Sequence, residues 1–566
     1  MKLKNIILFS ALLLTLPFVA HADNERPARA VFNVFTYRAD GSLIGNTYGF
    51  FTQADGTGLT SYKLFVGAAR AEVIDARGDK YEVSRILGAS STMDVLKLRI
   101  ATQNTTEYLP LASNSAEIDT PLLLVNYSTK KKNAPTGIRV TGAAPFNGFK
   151  YYDITAANTD LNVGCPLINA QGEAVAIVQK NVGNDTKTAC ALDARVADSL
   201  KITTISALNT DLTRLDIPRT LPQNESDALA YIYMLGNASE VVQLAALNDF
   251  IAAYPDNADG YVNRANFYNQ VGKYDYADTD IASAMEKALR PTSTTKQHEI
   301  CHAYSKLIYA RAFATSGDST NTLYQLALAE EQHAYELEPS PLYLQQQAEI
   351  MITMGRYDDA VEALRRFNAT DFATPESFYR VAQVLEASKA DSITLLAALD
   401  DVISHLEKPY ETNANSPRYF FSRSMQRQRC GMYRESVMDM NEYEKIMGPQ
   451  RLTHTFYFTR EQAERKARMF QQALDDIRSA ESRAEGNDYN YYRLEETSLL
   501  VQVQLYDEAI TCGEDLLKSV ANEGFLYRLL GIAYGEKGNK KKAVEYLQRA
   551  ASLGEEGLET LLQKYK

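Results

Sequence analysis

From about Ser226 to Lys566 the chain repeats itself, and that repetition limits the fold more than any other feature. Tyr261, Ala265, Tyr268, Gly272, Tyr274, Ala277, Ile281 and Ala284 set a pattern of large, small and aromatic residues. Tyr527, Gly531, Tyr534, Gly538, Ala543, Leu547 and Ala550 match it near the end. Between them it is carried by Leu344, Ala348, Gly355, Tyr357, Ala360 and Leu364, and again by Phe420, Ser424, Gly431, Tyr433, Ser436 and Met440. The small residue expected on each second helix recurs at Ala277, Ala327, Ala360, Ala397, Ser436, Ala473, Ala509 and Ala543, at intervals of 50, 33, 37, 39, 37, 36 and 34 residues. The long first interval predicts an insertion between Ala288 and Ala327. Offsets of this kind describe two packed antiparallel helices per repeat. A single pair cannot bury its apolar face, so stacked pairs must share one core and leave a concave surface free.

The preceding territory, about Arg29 to Ile205, has a different grammar. Short β-branched and aromatic runs (Val31 to Tyr37, Tyr48 to Thr52, Lys80 to Val83, Leu122 to Tyr127, Glu173 to Val178) alternate with turns such as Asp40-Gly41, Asp55-Gly56 and Gln171-Gly172. These predict strands joined by hairpins. The expected layout is a signal peptide at 1–22, a β domain at 29–205, a linker at 206–225 containing Pro218 and Pro222, and a helical repeat domain at 226–566. The first 22 residues carry Lys2 and Lys4, an apolar run from Ile6 to Ala20 and a small-x-small site at Ala20, His21 and Ala22, which together predict export and cleavage after Ala22. A periplasmic or secreted location is expected. The 566 residues include 59 Lys plus Arg against 71 Asp plus Glu, a net charge of −12. An acidic surface repels phosphate backbones, so nucleic acid is not an expected partner. With a mean hydropathy of −0.30 and no other long apolar stretch, no transmembrane span is expected.

The repeat resembles the tetratricopeptide (TPR) signature over roughly Ser226 to Lys566, with Tyr, Phe or Leu in the place that family gives to Trp, which is absent here. The β half also carries a resemblance. Gly49-Phe50-Phe51 and Asp55-Gly56 lead into Gly58-Leu59-Thr60-Ser61-Tyr62-Lys63-Leu64-Phe65. Met93-Asp94-Val95-Leu96-Lys97-Leu98 follows, and then Asn162-Val163-Gly164-Cys165-Pro166-Leu167-Ile168-Asn169 before Gln171-Gly172-Glu173-Ala174-Val175. This order resembles a chymotrypsin-like serine peptidase of the bacterial Deg branch over about Val31 to Leu200, which implies two β-barrels. The implied fold class is an all-β, two-barrel, trypsin-like domain followed by a TPR α-solenoid.

Carried over by position, the resemblance places Lys63 where the family has its histidine base, Asp94 at the orienting carboxylate and Val163 at the nucleophile. Leu161 stands where a glycine N–H completes the oxyanion hole. A triad needs a hydroxyl proton passed to a neutral imidazole and N–H groups aimed at the developing oxyanion. Valine has no such proton. The histidines are His21, His298, His302, His333, His405 and His454, so none lies between residues 29 and 205. No Ser-His-Asp or Cys-His site can form within that domain, whatever the alignment. Lys63 is expected to pair with Asp94; the alternative is a Ser-Lys dyad with Ser61 or Thr60. Cys165 has no histidine partner in the domain and reads as structural.

One motif in the helical half carries chemistry of its own. His298-Glu299-Ile300-Cys301-His302 is an H-E-x-x-H, which on a helix sets two imidazoles on one face for Zn²⁺ and Glu299 beside a bound water. Lys296 is an unusual neighbour for such a motif, and Glu330 or Glu331 are the only third-ligand candidates. The expectation is two ordinary histidines, with a zinc peptidase as the alternative. No cofactor is expected. Cys301, Cys430 and Cys512 are separated by more than two repeats and read as buried thiols. The Deg-like topology implies that Cys165 and Cys190 lie close together, and a disulfide between them is expected.

The TPR resemblance implies a groove lined by first-helix positions. These are Val262, Asn266 and Asn269; Gln345, Glu349 and Ile352; Phe421, Met425 and Gln428; Phe458, Gln462 and Arg465; and Arg528 and Ile532. No repeat supplies the Lys and Asn of a carboxylate clamp. Phe421 and Met425 are the expected anchor, an aromatic and a flexible thioether one turn apart. The function expected is a non-catalytic scaffold in which a peptidase-like domain is joined to an array that binds other envelope or secreted proteins or peptides. The alternative is an envelope peptidase, serine-type by resemblance or zinc-dependent through His298 and His302.

Overall fold

The computed structural model describes residues 25–130, 134–182, 187–315, 317 and 319–566. The expected signal segment, 1–22, lies outside them. Residues up to Ala303 form one compact unit and residues from Tyr304 a second.

Twelve strands make the β part of the first unit. β1 (Val31–Tyr37), β2 (Leu43–Phe51), β3 (Thr57–Thr60), β4 (Arg70–Ile74), β5 (Lys80–Ser90) and β6 (Val95–Ile100) close in the order β1-β2-β3-β6-β5-β4. β7 (Pro121–Leu124), β8 (Thr136–Phe146), β9 (Phe149–Ala157), β10 (Pro166–Ile168), β11 (Ala174–Gln179) and β12 (Thr188–Asp193) close in the order β10-β11-β12-β9-β8-β7. Asp40-Gly41, Asp55-Gly56 and Gln171-Gly172 fall in the connections where hairpins were expected. The two-barrel reading of this half is therefore correct.

The two barrels are cored differently. In the second, Leu124, Val140, Tyr152, Ile154 and Val178 meet in one apolar cluster. In the first, Phe32, Phe51, Ile86 and Leu98 continue without a break into Tyr231, Phe250 and Phe267, which lie on the helices Glu225–Met234, Glu240–Ala253 and Ala258–Gln270. Arg85 on β5 adds a bidentate pair with Asp249, at 2.7 and 2.6 Å. The segment 206–225, expected as a linker, is built into this core. Leu212, Leu215 and Ile217 are buried, and Ile86 N–H and C=O bond to Pro218 C=O and Thr220 N–H. Its prolines mark a strap across the barrel. The first repeat helices consequently belong to the same compact unit as the barrels.

Between Glu225 and Tyr565 the described residues form nineteen α-helices, consistent with an α-solenoid. Within the second unit consecutive helices pack as neighbours. Ala327, Ala360, Ser436, Ala473, Ala509 and Ala543 are fully buried between them, as is Ala277 in the first unit. Ala397 is a correction: it is exposed, and Ala398 is the buried residue. That one-residue shift places the buried position 38 residues from both Ala360 and Ser436, so the spacing is more even than the expected register allowed.

Candidate functional site: Asp94 between the barrels

β3 ends at Thr60, and the chain turns through Ser61 and Tyr62 into the short helical turn Lys63–Phe65. β5 and β6 are joined by a tight turn that closes on Asp94, whose φ of 45° lies in the left-handed region that Asp tolerates better than most residues. This brings the Asp94 carboxylate against the end of β3. Oδ1 accepts from Ser61 Oγ at 2.9 Å and from Lys63 N–H at 3.0 Å. Oδ2 lies 3.4 Å from Lys63 Nζ. Asp94 and Ser61 are buried, whereas the Lys63 side chain is 61% exposed.

The second barrel holds this turn by its backbone. Gln179 Nε2, at the end of β11, donates to Met93 C=O at 2.5 Å and to Asp94 C=O at 3.2 Å. Tyr151 OH on β9 donates to Met93 C=O at 3.3 Å. Neither Gln179 nor Tyr151 was singled out in the sequence, where an amide ending an apolar strand carries no signal.

The segment 161–165 packs against both barrels. Asn126 Nδ2 reaches Leu161 C=O at 3.2 Å and Asn162 Oδ1 at 2.9 Å. Asn162 Nδ2 donates to Ala157 C=O at 2.7 Å, and Thr47 Oγ1 to Val163 C=O at 3.4 Å. Gly164 has φ +84°, and a Cβ there would stand 1.9 Å from Tyr48 C=O. Only glycine permits this approach between the barrels. Leu161 is 66% exposed and Val163 half-buried.

The expected Cys165–Cys190 disulfide is not formed; both thiols are free. Val178 of β11 pairs with Ala191 of β12, while Val178 N–H donates to Cys165 C=O on its other side. β11 thus separates the two cysteines, by about 9–10 Å at ordinary strand spacing, beyond the reach of a bridge. Burial pushes the Cys165 thiol up to about 12 and raises that of Cys190. Neither is a poised thiolate. Cys190 lies near enough to feel the charges of Asp153, Lys63 and Asp94.

In the helical region the expected groove residues divide. Asn266 lines a cleft with Tyr233, Gln243, Asn263 and Gln270, and its Nδ2 bonds to Val262 C=O at 3.1 Å. Asn269 lies one turn on, in the same helix. Phe421, 37% exposed, and half-buried Met425 line a second cleft with Tyr379, Leu399 and Gln426. Phe421 also packs on Tyr443 at 5.5 Å, and Met425 against the cluster of Met440 and Phe456. Gln428 is half-buried on the same helix. The charged positions have partners within the chain: Glu349 with Arg380 at 2.7 Å, Arg465 with Glu461 at 2.8 Å, and Arg528 with Glu555 at 3.5 Å.

His298 and His302 stand one turn apart on the helix Gln297–Ala314. Glu299, the base in the alternative zinc-peptidase reading, accepts the Lys296 N–H at 2.7 Å and caps that helix. Among the described residues no group of three or more His, Cys, Asp or Glu is placed to hold a metal ion.

The family model for a trypsin-like peptidase domain matches residues 47–177. The β domain has the trypsin-like fold. A serine endoprotease from Yersinia pestis is similar among solved structures, with 18% identity and a TM-score of 0.27. That match covers 31% of this chain and 65% of the endoprotease, so the chain spans less than two thirds of its length. No curated protein matches the chain. No helix among the described residues is long and apolar enough to cross a membrane.

Proposed function

We propose that the protein is an exported, non-catalytic scaffold, in which a trypsin-like domain that has lost its triad is joined to a TPR array that binds other periplasmic or secreted proteins. The observation that carries this reading is the Asp94 site. A carboxylate that would orient an imidazole is engaged by Ser61 Oγ, Lys63 N–H and Lys63 Nζ. Ser61 donates its proton to Asp94 and not toward a base, an arrangement opposite to that of a Ser-Lys dyad. Val163 offers no nucleophile, and residues 29–205 contain no histidine. Gln179, Tyr151 and Gly164 still hold the barrels in register, which supports retention of the domain as a rigid recognition body.

Two measurements test the reading. Purified protein lacking residues 1–22 is expected to leave casein and small ester substrates intact. Turnover that disappears in Ser61→Ala or Lys63→Ala would overturn the loss of catalysis. Replacing Phe421 and Met425 together by Ser is expected to lower stability by no more than about 3 kcal/mol, since both side chains are only partly buried, and to abolish partner capture from an envelope extract. A large fall in stability would make the pair a core element and remove the proposed anchor.

A further inference from the structure

A cleft on the outer wall of the first barrel uses none of the residues of the Asp94 site. Along β6 the side chains alternate, with Leu96, Leu98 and Ile100 buried in the barrel and Lys97 and Arg99 on its outside. On a bare barrel both cations would be hydrated. Here the chain following β12 and the strap before the helix Glu225–Met234 pass beside them and enclose, with Leu87, a cleft of about 680 Å³. Its apolar surface comes from Leu200, Ile202, Ile205, Leu221 and Pro222, and Lys97, Arg99 and Lys201 line it with positive charge.

The charges are unevenly matched. Lys97 Nζ makes one hydrogen bond, to Ala197 C=O at 2.9 Å, and no carboxylate among the described residues lies within ion-pair distance of it. Burial lowers its pKa, and the repulsion of Arg99 and Lys201 adds to this against attraction from Asp198 and Asp55. Arg99 is paired with Asp55 at 2.9 Å. Lys201 is exposed. The one carboxylate in the lining, Asp227, is engaged on both oxygens, by Thr204 Oγ1 at 3.2 Å and Asn224 Nδ2 at 2.5 Å. Folding has therefore drawn the Lys97 ammonium partly out of water, with Asp198 near enough to attract it but a single carbonyl as its hydrogen-bond partner.

We propose that this cleft binds a small amphiphilic anion, a carboxylate on a hydrocarbon body, with its head among Lys97, Arg99 and Lys201 and its chain along Ile202, Ile205 and Leu221. The cleft is of the size that takes small molecules. A hydrocarbon body is favoured over a peptide because Thr203 and Thr220 on the wall have their N–H groups engaged, by Ser206 Oγ and Ile86 C=O. A peptide main chain would find neither of these two groups free to pair with it. The net charge of −12 disfavours anions generally, so binding must come from this local cluster.

Titration calorimetry of the full chain with decanoate below its micellar concentration tests the proposal, with acetate and decyltrimethylammonium as comparisons. Decanoate is expected to bind saturably at one site, and acetate to give no saturation at the same concentrations. Decyltrimethylammonium should bind at least about fivefold more weakly than decanoate. Lys201→Glu and Ile205→Ser alter exposed side chains, and each should weaken decanoate about fivefold or more while leaving the ligand-free melting temperature unchanged. Lys97→Met should abolish binding; if that variant does not fold, the other two decide. Decanoate affinity equal in all variants, affinity matched by decyltrimethylammonium, or no binding at all would overturn the proposal. So would capture of an acidic peptide at this cleft that decanoate fails to displace.

Discussion

Asp94 in the β domain and Asp476 in the helical region are both buried carboxylates, 8% and 5% exposed, yet different chemistry holds them. Asp94 is met by a hydroxyl, a main-chain N–H and an ammonium on a largely exposed stem. Asp476 takes both arms of the Arg460 guanidinium, at 2.6 and 2.8 Å, while Arg460 also holds Glu444 at 2.6 Å. The helical arrangement recurs: Arg264 with Asp280 and Arg423 with Asp439 are likewise bidentate pairs sixteen residues apart. A repeated pair clamps the first helix of a unit to the second, whereas the Asp94 set occurs once and ties one turn to one strand end. The contrast separates a device that builds the fold from one that occupies a site.

The largest expected effect comes from cutting the repeated device. Arg460→Met leaves the buried Asp476 carboxylate and the partly exposed Glu444 without their cation and should cost about 3–5 kcal/mol in urea unfolding. A loss below 1 kcal/mol would mean the pair is no structural clamp. Next comes pH. Burial and the neighbouring Asp476 push Glu464 up to about 9, against an unfolded value near 4.5. The folded state keeps this proton while the unfolded chain releases it, so the contribution is full below pH 4.5 and declines as pH rises toward 9. Stability to urea should therefore fall as the pH is raised from 6 to 8. Glu464→Gln should flatten that part of the stability profile.

In the β domain the expected effects are smaller. Gly164→Ala forces a side chain onto Tyr48 C=O at positive φ, for a loss of about 2–3 kcal/mol by thermal unfolding. Asp94→Ala leaves Ser61 and the Lys63 N–H without their acceptor and should cost about 1–3 kcal/mol. Lys63→Met should cost less than about 1 kcal/mol, because its ammonium is exposed. If Lys63→Met proved the worse of the two, the ion pair and not the hydrogen bonds would be the main tie.

Strand β1 was legible at its true limits because its signal is local, whereas the pairing of Lys63 with Asp94, 31 residues apart, followed from the peptidase resemblance that puts both at triad positions. The disulfide misled because the separation of Cys165 from Cys190 depends on strand order: β11 lies between them, and no spacing in the chain says so. Leu212, Leu215 and Ile217 were masked by the prolines around them, which mark loops whether packed or free. The sixteen-residue Arg–Asp spacing was present in plain sight. It carries no signal by itself, because charged residues on amphipathic helices usually face water, and only the packed structure shows these inside.

Closure of both barrels has a consequence for life at high concentration. In each barrel the first and last strands pair with one another, so among the described residues neither sheet ends in a whole unpaired edge strand. Growth of sheets from one copy to the next, the usual route by which β-rich proteins precipitate, is left only short overhangs to start from, such as the Gly142–Phe146 end of β8, which pairs on one side.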